Sequence, residues 1–306
     1  MEKTFFEGVQ AWMHRNARPL DIARWKLLFE NGSRDEVLVE LRYYQNQDGG
    51  FGHGLEEDCL NPESSPMQTW AATEILYELG NISRENPIVM GVLRYLEDCP
   101  YYIEGKWIGT IPSNNDHPHA SWWSYSEEMV KAWNWNPTAC LAGFVLCYGD
   151  KDRKVYKMAE KSAAEAYQWF IGQDKMGSMH ETFCFMRLYE YCIRAKVQAP
   201  FDMNRFKEQL IKQVSLLIEK NTDIWKTEYV CRPSFFISSR DSFLYKYNSD
   251  IAEKETEYLT GAVNSEGVWN PTWQWSEYPE EWAVCKRWWQ ANIAINNVKF
   301  LKAFDK

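Results

Sequence analysis

Three acids stand in a row in the segment HGLEEDCLNPESS, where Glu56, Glu57 and Asp58 follow the glycine-rich turn DGGFG. In an extended segment alternate residues share a side, so Glu56 and Asp58 point one way and Glu57 the other. Two carboxylates held close together cannot both ionise easily. The one that keeps its proton becomes a usable general acid near neutral pH. A cyclisation started by protonation needs such a group, and so does glycan cleavage by a carboxylate pair. The competing reading is structural: the acids pair with basic residues such as Arg232 or Arg240, or complement helix N-termini.

A second set of reactive side chains sits in the long segment IGTIPSNNDHPHASWWSYSEEMVKAWNWNPT. Here His117 and His119 flank Pro118, and Trp122 and Trp123 follow. Imidazole titrates near neutral pH, which makes His119 a candidate proton relay beside Glu56 and Asp58. Two imidazoles fall short of the three protein ligands that a metal site usually needs, so neither a metal nor another cofactor is expected. His53 and His180 begin other segments and join His117 as candidate substrate contacts. Trp122, Trp123, Trp135, Trp273 and Trp275 complete that set, because indole faces stabilise cations or stack on sugars. Trp107, Trp225 and Trp269 end a recurring turn and are read as packing.

That turn also organises the chain. QNQDGGF, YYIEGKW, QDKMGSM, EKNTDIW and VNSEGVW each place a polar or aromatic residue, three spacers, a glycine (once Asp), one residue and a large side chain. A helix-period segment precedes each turn and a more apolar one follows, as in SPMQTWAATEILYELG, NPTACLAGFVLCYG and HETFCFMRLYEYCIRA. The pattern in RPSFFISSRDSFLYKY is less clear. With the N-terminal pair KTFFEGVQAWMHR and PLDIARWKLLFENG, these make six helical hairpins. Wide apolar surfaces on the second helices predict an all-α (α/α)6 barrel. It forms a single domain over residues 1–306, with a loop insertion at about 105–136.

The Gln-x3-Gly-x-Trp/Phe pattern resembles the QW repeat of the terpenoid cyclases. DGGFGHGLEEDCLNPESSPMQTWAATEIL is similar to the Gly-Gly-Phe turn and following helix of protein prenyltransferase β subunits. The resemblance implies the α/α-toroid superfamily, with an aromatic-lined central cavity and chemistry on an isoprenoid or related apolar chain. The chain departs from those families at their motifs. It has no Asp-x-Asp-Asp acid motif, no Asp-x-Cys zinc pair and no Asp-Asp-x-x-Asp metal motif, and its last helix has no His. Zinc-dependent protein prenylation is therefore disfavoured. The expectation is a carboxylate-initiated enzyme of the terpenoid-cyclase type. The alternatives are a glycan-active barrel using the same carboxylates, and a non-enzymatic binding protein.

Composition narrows the partners. Net charge is -9 and no long basic run occurs, which argues against nucleic acid. No apolar stretch reaches the roughly 20 residues that span a bilayer, and the N-terminal residues lack the apolar core of a signal peptide. Eight cysteines without a CxxC pair suggest reduced thiols and a cytoplasmic setting. A small-molecule substrate is the partner these features leave.

Overall fold

The computed structural model describes residues 2–197 and 201–305. Among them the chain forms twelve α-helices and one two-stranded hairpin, so it is all-α. No helix there is long and apolar enough to cross a membrane. The chain divides into two compact units, Met1–Glu40 with Val214–Lys306, and Leu41–Gln213.

The first unit packs α1 (Lys3–Asn16) and α2 (Pro19–Phe29) against the long terminal α12 (Pro279–Ala303), which also carries α11 (Tyr245–Gly261). Phe6 stacks on Trp25 at 5.5 Å, and Trp25 meets Phe29 edge-on. The weak helical pattern of residues 232–247 yields only a 3-10 turn at Pro233–Phe235 before α11 begins. Side chains here compete with helical hydrogen bonding. Ser239 Oγ accepts the Asp241 amide, and Ser242 Oγ accepts that of Leu244. The helical segment expected over 232–247, tenth of the twelve, is therefore absent as such, and a short α6 (Glu127–Lys131) appears instead inside the long loop.

The division falls within α3 (Arg34–Arg42), after which the second unit runs through the first glycine-rich turn to α4 (Pro66–Glu78) and α5 (Pro87–Asp98). The hairpin β1 (Tyr102–Ile103) and β2 (Lys106–Trp107) opens the long loop. Then come α6, α7 (Thr138–Tyr148), α8 (Lys154–Ile171) and α9 (Met179–Ala195), with α10 (Met203–Leu217) running on from there. Ten of the eleven residues of α7 are buried, because α8 and α9 cover it from two sides. A side chain at Gly143 would strike the Tyr191 ring and the Leu188 backbone, so the α7–α9 approach depends on the missing Cβ.

Three of the four repeated turns that keep their glycine share a backbone shape, the third turn at Gly177 being the exception. Gly49, Gly105 and Gly267 all have positive φ, a conformation that glycine adopts without strain. A Cβ on Gly49 would also run into the Gly91 carbonyl of α5. The closing indoles are buried, and each donates its N–H to a carbonyl just upstream. Trp107 reaches Leu96 O at 3.1 Å, Trp225 reaches Glu219 O at 3.2 Å, and Trp269 reaches Leu259 O at 3.0 Å. Two of these acceptors lie in the last turns of α5 and α11, where carbonyls run short of intrahelical partners. The indoles thus join one element to the next.

Candidate functional site

The acid loop folds as a tight knot above the N-terminus of α4. Ser65 caps that helix by accepting the Gln68 amide, and Pro66 occupies its first position. Gln68, 1% exposed, turns back into the loop. Its Oε1 accepts the Glu56 amide at 2.9 Å, and its Nε2 donates to Cys59 O at 2.7 Å. At the entrance the chain passes so close to residues 62–63 that a Cβ on Gly52 would meet the Pro62 carbonyl. Asn46 ties the same entrance down by donating to Pro62 O and Ser64 Oγ.

The long loop docks on this knot. Ala120 N donates to Asp58 O at 2.8 Å, and Leu60 N donates to Pro118 O at 2.9 Å. Asn61, 1% exposed, donates to Ser113 Oγ and Asn114 Oδ1, and Asn114 in turn donates to Thr110 Oγ1 and Trp123 O. The two segments that carried the sequence's reactive side chains are therefore one hydrogen-bonded body.

Inside it, Glu56, Glu57 and Asp58 are only 6%, 5% and 4% exposed. Glu56 accepts the Asp58 amide at 3.1 Å and makes no ion pair with any described residue. Burial, then the nearby Asp58 and Glu57 carboxylates, push its pKa well above the usual carboxylate range. The Asp58 amide and the Trp123 indole N–H lower it again in part. That N–H is buried and lacks hydrogen-bond geometry with any described acceptor. Burial also raises the Cys59 thiol to about 12, which leaves it inert. Arg232 and Arg240, the alternative partners considered for these acids, pair with Glu255 and Glu253.

The other candidates are placed as follows. His119 lies beside the acids, its residue bridged to Cys59. Its Nδ1 donates to His117 O at 2.7 Å and its Nε2 meets Ser124 Oγ at 3.0 Å. A carbonyl can only accept, so Nδ1 carries a proton. His117 is half-buried and Trp122 exposed. His53 is exposed at the loop entrance with positive φ, its Nε2 donating to Asn46 Oδ1 at 2.9 Å. Trp135 is buried, with its backbone N–H on Glu181 Oε1 and Lys106 Nζ 5.1 Å from the ring centre. His180 begins α9; it is exposed, yet protein atoms crowd it enough that desolvation lowers its pKa. Trp273 and Trp275 belong to the first unit. Trp273 meets Tyr229 and Trp289 edge-on at 4.8 and 5.0 Å, and Trp275 is buried against Trp282.

Sequence reasoning passed over a second polar group, on α4 and α9. Trp70, Glu74 and Tyr77 recur at helical spacing on α4, and Phe183, Arg187, Glu190 and Arg194 do so on α9, all half-buried. Arg187 forks onto both Glu74 oxygens, Nε donating to Oε1 at 3.1 Å and Nη2 to Oε2 at 2.7 Å, and also reaches Glu190. Its guanidinium lies 3.5 Å from the Tyr77 ring centre, and that of Arg194 lies 4.2 Å away. Burial raises the Glu190 pKa, an effect that Arg187 partly reverses. The signal was available: Glu74, Arg187, Glu190 and Arg194 interrupt the apolar middle and end of two helices at helical spacing.

Among the described residues, no three His, Cys, Asp or Glu side chains are arranged to hold a metal ion. No known family model, characterised protein or solved structure matches this chain.

Proposed function

We propose that this protein is an enzyme that starts its reaction by donating a proton from Glu56. The enclosure of Glu56 among two further carboxylates, with no cation paired to it, carries this reading. Burying a carboxyl without a counter-ion costs several kcal/mol unless it keeps its proton. A connection between helices gains nothing from such a group, whereas a general acid at neutral pH requires one. Asp58, two residues on, raises Glu56 together with burial and Glu57, and is the acceptor proposed for the proton's return. Trp123 lies beside the acid, and its indole N–H offsets the raised Glu56 pKa only in part and lacks full hydrogen-bond geometry, so a substrate can displace the ring. His119 holds the loop in register through its two ring nitrogens. The closure of the helical hairpins into a toroid, implied by the likeness to terpenoid cyclases, belongs to the same proposal.

The test is product formation, followed by mass spectrometry, on a panel of prenyl diphosphates and neutral oligosaccharides. One class is expected to turn over, and Glu56→Gln is expected to reduce the rate by about 10²–10⁴-fold, the usual contribution of a general acid. A Glu56→Gln protein with the full rate would overturn the proposal.

A further inference from the structure

The half-buried face of α4 and α9 carries a ligand chemistry of its own. His180, Phe183, Arg187, Glu190 and Arg194 recur every three or four residues along α9, and Trp70, Glu74 and Tyr77 do so along α4. The Glu74–Arg187 ion pair and the Arg187–Tyr77 stack join the two helices. Gln68, which holds the acid loop, precedes Glu74 on α4 by a rise of about 9 Å at 1.5 Å per residue. The face therefore begins within two helical turns of Glu56.

Its charges balance: the guanidiniums of Arg187 and Arg194 stand against the carboxylates of Glu74 and Glu190. Desolvation keeps the His180 imidazole neutral near pH 7, which adds a donor and an acceptor without charge. An anion meeting this face would be repelled by two carboxylates, and a cation by two guanidiniums. An apolar chain would strip water from four charged groups and return no hydrogen bond. Arg194 has no carboxylate partner among the described residues; its one hydrogen bond is a 3.4 Å contact to Tyr148 Oη. Its remaining donors are uncommitted. The Trp70 indole N–H is likewise buried without a partner. The Phe183 ring lies 5.1 Å from the Arg187 guanidinium, and Trp70 stands four residues before Glu74 on α4. Closely mixed donors, acceptors and ring faces with no net charge match one ligand class, a neutral polyhydroxylated molecule whose hydroxyls donate and accept and whose C–H faces stack on rings.

We infer that the α4–α9 face is a binding subsite for a neutral glycan, held by Arg194 and Glu190 through its hydroxyls and by Phe183 and Trp70 through its C–H faces. This rests on the Glu56 reading only for what happens to the glycan after it binds.

The experiment is isothermal titration of the full-length protein with neutral oligosaccharides of glucose, xylose and N-acetylglucosamine. The variants are Arg194→Lys, Glu190→Gln and Glu56→Gln, with melting temperatures measured alongside. One oligosaccharide series is expected to bind. Its Kd should rise at least tenfold in Arg194→Lys and in Glu190→Gln at unchanged melting temperature, and stay at the wild-type value in Glu56→Gln. Inorganic pyrophosphate and farnesyl diphosphate should not compete. Wild-type affinity in both subsite variants, failure of every series to bind, or Arg194-dependent binding of pyrophosphate would each overturn the subsite. The two proposals fail separately. Turnover lost in Glu56→Gln with binding intact in both Arg194→Lys and Glu190→Gln sinks the subsite alone. Binding lost in Arg194→Lys with full turnover in Glu56→Gln sinks the acid alone.

Discussion

Gln68 holds Glu56 by its backbone: the side-chain carbonyl oxygen accepts the Glu56 amide at 2.9 Å, while the side-chain amide donates to Cys59 O at 2.7 Å. One helical residue thus fixes both ends of the acid triplet, and the Glu56 carboxyl is left to its neighbours. Replacing Gln68 with Leu removes these bonds and strands a buried amide and carbonyl. At about 1–3 kcal/mol for each stranded group, the expected loss is roughly 2–6 kcal/mol in chemical denaturation. A variant as stable as the wild type would show that the loop does not hang on this side chain.

The raised Glu56 pKa has a stability consequence whose sign is fixed. The folded protein holds this proton at pH values where the unfolded chain has released it, so folding binds protons in that window. Stability is therefore undiminished below the ordinary carboxylate pKa of 4.5 and falls as pH rises towards the folded value. Each pH unit in the window costs about 1.4 kcal/mol. Glu56→Gln removes the titration, so the variant should match the wild type near pH 4 and exceed it near pH 8. Parallel melting-temperature profiles for the two proteins would count against a buried neutral Glu56.

Arg187 gives a contrasting case, since its two carboxylates depend on it. Arg187→Met leaves Glu74 and Glu190 half-buried without their cation, a loss of about 3–5 kcal/mol by analogy with broken buried pairs. Adding Glu74→Gln should recover part of that loss, because one uncompensated charge disappears. Urea titrations of the single and double variants measure the recovery; its absence would mean that the network contributes through shape and not charge.

The repeated turns separate glycines that the backbone needs from those it does not. Gly49 has positive φ and lies against the Gly91 carbonyl, so Gly49→Ala should cost about 1–3 kcal/mol or more. Gly177, in the third turn, has open space around a built Cβ, and Gly177→Ala should be neutral or stabilising by up to about 1 kcal/mol. Thermal denaturation of the two variants checks the contrast; equal losses would contradict it.

Much of the helical framework was legible because apolar periodicity and a recurring turn encode it locally. The segment 232–247 was not, since its Ser side chains trade helical bonds for turn bonds, a choice that periodicity does not report. The third turn looks degenerate because α10 supplies its hydrogen bonds: Gln213 accepts the Met176 amide, and Gln209 donates to Phe170 and Gln173 carbonyls. Glu56 and Asp58 stood out as neighbours in sequence, and their placement with His119 and Trp123 follows from the Asn61–Asn114 contact between distant loops. The α4–α9 face was missed because ionisable residues inside helices were read as part of the apolar pattern, although Glu74 and Arg187 meet only through the fold.

The most direct measurement is a carbon-13 NMR titration of protein labelled at the glutamate side-chain carboxyls, with Glu56→Gln supplying the assignment. The Glu56 carbon should still show the protonated chemical shift at pH 7. If that carbon instead titrates with the exposed glutamates near pH 4.5, Glu56 is an ordinary carboxylate and the proton-donor account fails.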